Sequence, residues 1–306
     1  MVVSSSWVRA LVATGALIAF GCSAPVEKDW VVNADITSVG SAEMYVAGYQ
    51  QRDRGFVKHL TNGRWVSVHE APGPLTGVWT DGSGFVVAVG PSGSVATRSN
   101  DTWTTASLPD HVGPTAVWGS SPTNVLAVGL SGAVVRYDGA GWSTEEVPSA
   151  VTFKGIWGSA ADDVFVVGEA GTVLHFDGSR WEPMESGTTE DLNAVWGTHA
   201  GNVYAVGGSE LTHRHVIVRF DGAAWQVERS GSPYALLGVN GTADGRVVSV
   251  GAVRVGDSIT SAMLTLEGSS WRESKPGVLQ FLWDVQPLDD GRSYVVGPDD
   301  TLALVR

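Results

Sequence analysis

AVWGSSPTNVLAVG at 116–129, GIWGSAADDVFVVG at 155–168 and AVWGTHAGNVYAVG at 194–207 are copies of one phrase, and their closing glycines, Gly129, Gly168 and Gly207, fall 39 residues apart. GVWTDGSGFVVAVG at 77–90 precedes them at the same spacing. Looser copies are DITSVGSAEMYVAG (35–48), GVNGTADGRVVSVG (238–251) and DVQPLDDGRSYVVG (284–297). The period is far too long for one helix or strand. It has the length of a supersecondary unit copied along the chain.

The interval 114–148 shows what the unit contains. Ala116-Val117-Trp118 is a short apolar run, and 119–123 (GSSPT) is a turn cluster. Asn124 to Val128 and Ala133 to Tyr137 are two further runs, parted by the glycine-bounded stretch 129–132. Asp138-Gly139 is a hairpin signal, and Trp142 opens a fourth run that Pro148 helps to end. Four short antiparallel strands in a unit of this length make one blade of a β-propeller. The runs are continuous rather than alternating, which fits strands covered on both faces by neighbouring blades. Seven phrases predict an all-β, seven-bladed β-propeller of about 39 residues per four-stranded repeat.

Two tryptophan columns hold this register. Trp65, Trp103, Trp142, Trp181, Trp225 and Trp271 open fourth strands, while Trp79, Trp118, Trp157 and Trp196 end first strands. Both are expected to pack between blades. Each buried indole removes roughly 150–250 Å² from water, an upper bound of about 4–6 kcal/mol. Small residues precede the second column (Gly77, Ala116, Gly155, Ala194, Gly238), as crowding at the propeller axis requires.

Composition agrees with one large folded domain: 306 residues, 43% apolar and 17% charged. The net charge of −13 lacks the basic footprint that nucleic-acid binding needs. Residues 1–21 read as a signal peptide, with Arg9 ahead of an apolar stretch from Ala10 to Phe20. Ile18-Ala19-Phe20-Gly21-Cys22 resembles a bacterial lipobox, with Ala19 where that motif prefers Leu. The resemblance implies cleavage before Cys22 and lipidation of it, a tether over 22–29 and the propeller over 30–306. The single cysteine leaves none for disulfides, zinc or thiol catalysis. The last phrase is followed by too little chain for a complete blade, so closure calls for a strand near Trp30-Val31-Val32. Trp30 to Thr37 spans only 7 residues, against 14 or 15 elsewhere. A shortened connection, a strand starting nearer Cys22, and a three-stranded last blade all remain open.

The phrases WGSSPTNVLAVG…YDGAGW and WGSAADDVFVVGEAGTVLHFDGSRW resemble the repeats of bacterial lipoproteins common in myxobacteria, of the kind grouped with WD-like, BNR-repeat and photosystem II assembly-factor-like propellers. The likeness runs over 35–306 and implies fold rather than activity. BNR-type sialidases carry Ser-x-Asp-x-Gly-x-Thr-Trp, with Asp five residues before Trp. Here Asp138, Asp177 and Asp221 lie four before Trp142, Trp181 and Trp225, without the leading Ser, and read as turn residues.

Two places stand out for recognition. Asp35 and Asp284 occupy the small-residue column in the first and last blades, which ring closure makes neighbours. Channel carboxylates there would suit a cation or an acid/base pair. The second–third strand connections lengthen in blades one, five and six, all on one face, and carry Arg52, Arg54, His213, Arg214, His215 and Arg254. That concentration of basic residues in an acidic chain is the expected partner-binding patch. The overall expectation is a lipid-anchored envelope scaffold that binds a protein, with no nucleic acid, cofactor or metal and no membrane contact beyond the N-terminal lipid. Glycan binding, or a glycosidase or lyase using Asp35 and Asp284, are the alternatives.

Overall fold

The computed structural model describes residues 35–39, 43–50, 54–108, 112–209, 214–231, 234–255, 258–274, 276, 281–298 and 302–306. They form seven antiparallel sheets, each built from strands consecutive in sequence. The first strands are Asp35–Val39, Gly77–Thr80, Pro114–Ser121, Phe153–Ala160, Leu192–His199, Tyr234–Gly241 and Asp284–Pro287. Each abuts the next in order, and the last abuts the first. The ring is therefore closed, and the fold is a seven-bladed β-propeller. Six sheets have four strands; the last has three among the described residues, ending with Leu302–Val305. Cys22 and the Trp30-Val31-Val32 segment lie outside the described residues.

Seven apolar clusters occupy the seven seams between neighbouring blades. Val164, Val166 and Leu174 of blade four meet Leu126 and Val128 of blade three. Ile36, Met44 and Val46 of blade one meet Val296 and Tyr294 of blade seven. The second strands are sealed on both faces, with Val125 to Val128 fully buried. This accounts for continuous apolar runs, since in such a strand every side chain, odd or even, meets another blade.

The fourth-strand tryptophans pack on the preceding blade, as expected. Trp225 meets Phe165 edge-on with ring centroids 5.9 Å apart, and Trp65 meets Tyr294 likewise at 5.6 Å. Trp181 Nε1 donates to Glu145 at 2.8 Å, and Trp271 Nε1 to Glu228 at 2.9 Å. In blades two to six the glycine that closes the phrase is fixed by crowding against the backbone. A Cβ at Gly207 would fall inside the Asp191 carbonyl of the chain entering that blade, and one at Gly90 inside the Pro74 carbonyl.

The first-strand tryptophans follow a different rule. The six-membered ring of Trp118 lies on Gly158 of the next blade, where an added Cβ would stand 2.7 Å from Cη2. Trp79 seats on Gly119, Trp157 on Gly197 and Trp196 on Gly241 in the same way. In the dipeptide Trp-Gly the indole serves the following blade and the glycine receives the preceding one.

In the long second–third connections of blades one, five and six the described residues belong to the ladders. The strand pairs run on instead, to Gln50 opposite Arg54, Ser209 opposite Arg214 and Val255 opposite Ser258. In blades three and four the same connection is a tight 3₁₀ turn, at Leu130–Gly132 and Glu169–Gly171.

Candidate functional site

A cavity of about 690 Å³ follows the propeller axis and is walled by the first strands. Its upper wall is set by a repeated bulge. In blades three to six the pairing of first and second strands skips a residue near the start of the first strand: Thr115, Lys154, Asn193 and Leu237. A bulge re-aims the skipped side chain, and all four line the channel. Three of them tie neighbouring blades. The Thr115 hydroxyl lies 2.7 Å from the Phe153 carbonyl. Lys154 donates to Asp191 at 2.8 Å and to Asn193 at 3.2 Å. Asn193 donates to the Leu236 carbonyl at 2.8 Å. Partial burial works to raise the Asp191 carboxyl, but the Lys154 ammonium and the Ala170 amide outweigh it and hold the group below its ordinary range.

Toward the other end, two residues past the small-residue column, the ring reads Thr37, Trp79, Trp118, Trp157, Trp196, Asn240 and Gln286. Blades two to five thus present an aromatic arc, and blades six, seven and one a hydroxyl and two amides. Asn240 donates to Gln286 Oε1 at 3.1 Å, and Gln286 donates to the Pro287 carbonyl at 3.2 Å. Sequence reading assigned these tryptophans to packing alone. In the structure they are half-buried and line the channel, unlike Trp181 and Trp225.

Asp284 also lines the channel, and its Oδ2 accepts the Ile36 amide at 3.2 Å. Gly238 of blade six stands against its other side, where a Cβ would meet Oδ1 at 2.7 Å. The carboxylate thereby links three blades at the ring's join. Asp35 lies on the first strand of blade one, opposite Ala47. Among the described residues no three His, Cys, Asp or Glu side chains gather as a metal site.

On the face of the prolonged hairpins, Arg54 is exposed. Arg214 is exposed and stands 3.5 Å from Glu190. Arg254 sits on the second strand of blade six, opposite Ile259. Arg52 and His213 lie outside the described residues. His215 departs from the expected surface patch: it is 3% exposed and stacks on Tyr234 of blade six with centroids 4.2 Å apart. Burial, with Arg229 beside it, pushes its pKa down to about 4. Its Nε2 accepts from Arg229 at 3.3 Å, so Nδ1 carries the proton of a neutral ring. His175, read as packing, stacks on Phe165 and pairs with Asp163 at 2.7 Å.

The Asp-Gly pairs are turn chemistry. Asp138, Asp177 and Asp221 each accept two amides of their own hairpin, at 2.8–3.0 Å. The Ser179 hydroxyl and those amides bring Asp177 to about 2.

No family model and no curated protein sequence matches this chain. Solved structures do. The WD40 β-propeller domain of Doa1 superposes with TM-score 0.67 and 13% identity over 91% of this chain and 92% of that one. YCF48 from Cyanidioschyzon merolae gives 0.64 and 16% over 92% and 96%, and YCF48 has also been solved bound to D1 peptide. The extracellular domain of a hybrid two-component system from B. thetaiotaomicron gives 0.63 and 8% over 92% of this chain and 38% of that one. At these identities the likeness establishes the fold. Among the described residues, no helix is long and apolar enough to cross a membrane.

Proposed function

We propose that this chain is an exported, lipid-anchored propeller of the bacterial envelope that acts as a non-catalytic scaffold for a protein partner. One observation carries the reading. The strand pairs are prolonged in blades one, five and six, which stand side by side with blade seven, so one sector of one face is raised. Raised, hydrogen-bonded hairpins on a closed ring offer a partner a preorganised surface, which lowers the ordering cost of binding. Arg54 and Arg214 stand at the last described pairs of two of these hairpins, and Arg52, His213 and Arg254 belong to the same stretches of sequence. The peptide-bound YCF48 structure and the extracellular B. thetaiotaomicron domain support a partner-binding, exported propeller by analogy. Lipid anchoring rests on the lipobox-like sequence ending at Cys22.

In-cell crosslinking followed by tagged capture tests the scaffold role in wild type and in an Arg52→Ala/Arg54→Ala/Arg254→Ala variant. One envelope protein linked to wild type and lost from the folded variant is the expected result. Equal capture by both overturns the site. Incorporation of labelled palmitate into wild type but not Cys22→Ala tests the anchor.

A further inference from the structure

We propose that the axial channel, at the end walled by the tryptophan arc, binds a neutral saccharide. The site is separate from the raised sector, and its ligand is of a different chemistry from a protein partner.

The first ground is an unspent set of donors. Trp181 and Trp271 commit their indole N–H groups to Glu145 and Glu228. The Nε1 atoms of Trp79, Trp118, Trp157 and Trp196 have no hydrogen-bond partner among the described residues and are not sealed from solvent. Four indoles in consecutive blades therefore line one wall, and their N–H groups keep access to solvent. Packing alone explains the ring of each indole on its glycine. It does not explain why four of the most costly side chains to leave wet stand at the cavity.

The second ground is the opposite wall. Thr37, Asn240 and Gln286 line it. Asn240 and Gln286 hold each other, and each still has one N–H to offer. A ligand filling the space needs an apolar face toward blades two to five and hydroxyl-like groups toward blades six, seven and one. A pyranose ring is built that way, with C–H groups on its faces and hydroxyls around its rim.

The third ground is charge. The chain carries −13, yet the charged residues of the channel wall are few and largely committed: Lys154 to Asp191 and Asn193, and Asp284 to the Ile36 amide. Asp289 stands exposed at the rim. Among the described residues lining the channel, Lys154 is the one cation, and it is paired. The volume of about 690 Å³ lies within the range of small-ligand pockets.

The test is calorimetric titration of the purified protein with chitotriose, cellotriose and maltotriose, and with tetramethylammonium chloride as a cationic probe. Two variants accompany wild type. Trp118→Phe keeps a shorter aromatic ring in the wall and deletes one N–H. Thr37→Val deletes one hydroxyl at constant shape. The expected result is saturable millimolar or tighter binding of at least one trisaccharide, weakened about three- to tenfold in each variant, the size of one hydrogen bond. Arg54→Ala should bind the sugar as wild type does, which separates this site from the raised sector. Should Trp118→Phe melt early, Thr37→Val still reads the site. Binding of tetramethylammonium alone, sugar binding untouched by both variants, or no heat with any trisaccharide would each overturn the proposal.

Discussion

Replacing Gly158 by alanine tests the seating of each first-strand tryptophan on the next blade. The new methyl group would stand 2.7 Å from Trp118 Cη2, 2.8 Å from Trp118 Cζ2 and 2.8 Å from the Asp163 carbonyl oxygen. These separations lie well inside carbon contact distance, and one of the three atoms belongs to the backbone. The indole packs against the apolar cluster between blades three and four, so it cannot simply swing away. Overpacking of this kind costs about 1–3 kcal/mol. For a chain this long each kcal/mol moves the melting temperature by roughly 2–4 °C, so Gly158→Ala should melt several degrees early. Gly141→Ala is the control, since nothing lies within 4 Å of its added Cβ, and it should stay within about 0.5 kcal/mol of wild type. Trp118→Phe shortens the ring that causes the clash. The double variant Gly158→Ala/Trp118→Phe should therefore be less destabilised than the two single changes added together, by about 1 kcal/mol of coupling. Differential scanning calorimetry on the four proteins provides the cycle. A Gly158→Ala protein that melts with wild type, or strictly additive changes, would refute the seating.

Three further outcomes follow. Gly207→Ala places a methyl group inside the Asp191 carbonyl; it should cost more than about 3 kcal/mol, at the upper end of overpacking, and yield little soluble protein in an expression assay. His215 titrates near 4 when folded, against 6.5 for the free side chain. The unfolded chain therefore takes up the proton first: the stabilisation is complete above pH 6.5 and is lost as pH falls toward 4, by about 3 kcal/mol at most. His215→Phe keeps a ring on Tyr234, so urea midpoints measured across that window should be flatter than in wild type. Asp177, held at about 2 by the Ser179 hydroxyl and the hairpin amides, should show a carboxyl NMR titration near that value in wild type and near the ordinary range in Ser179→Ala/Arg180→Pro, which removes the hydroxyl and one amide donor.

The blade register was readable because its markers are local. Asp138-Gly139 fixes a turn through its own neighbours, and the run from Val125 to Val128 declares a strand buried on both faces. What the sequence hid depends on the rotation between blades. His215 sits in Thr212-His213-Arg214-His215, which reads as a polar connection; it becomes a buried neutral ring only because Tyr234, 19 positions away in the chain, arrives over it from the next blade. The bulges at Thr115, Lys154 and Asn193 have no compositional mark, so the side chains they turn into the channel could not be singled out. The two tryptophan columns look alike in a string of letters. Their partners separate them: carboxylates or apolar rings of the preceding blade for one, a bare glycine of the next blade for the other. The same dependence on three dimensions makes the lengthened connections read as loops, when their described residues extend existing ladders.

In blades three, four and five Trp-Gly gives the unit a plug and a socket, pointing in opposite directions around the ring. A tandem duplication of one whole unit reproduces both, so the new copy couples to the old on each side without any compensating substitution. A duplication whose ends fell between Trp118 and Gly119 would do so as well, whereas a change to Trp118 damages the seam with blade four and a change to Gly119 the seam with blade two. Growth of the array by copying is thereby easy and divergence at this dipeptide is hard. Blades one, six and seven carry Thr37, Asn240 and Gln286 in place of the plug. The plug is kept from blade two to blade five, and the units that depart from it are the ones that meet at the join of the circle.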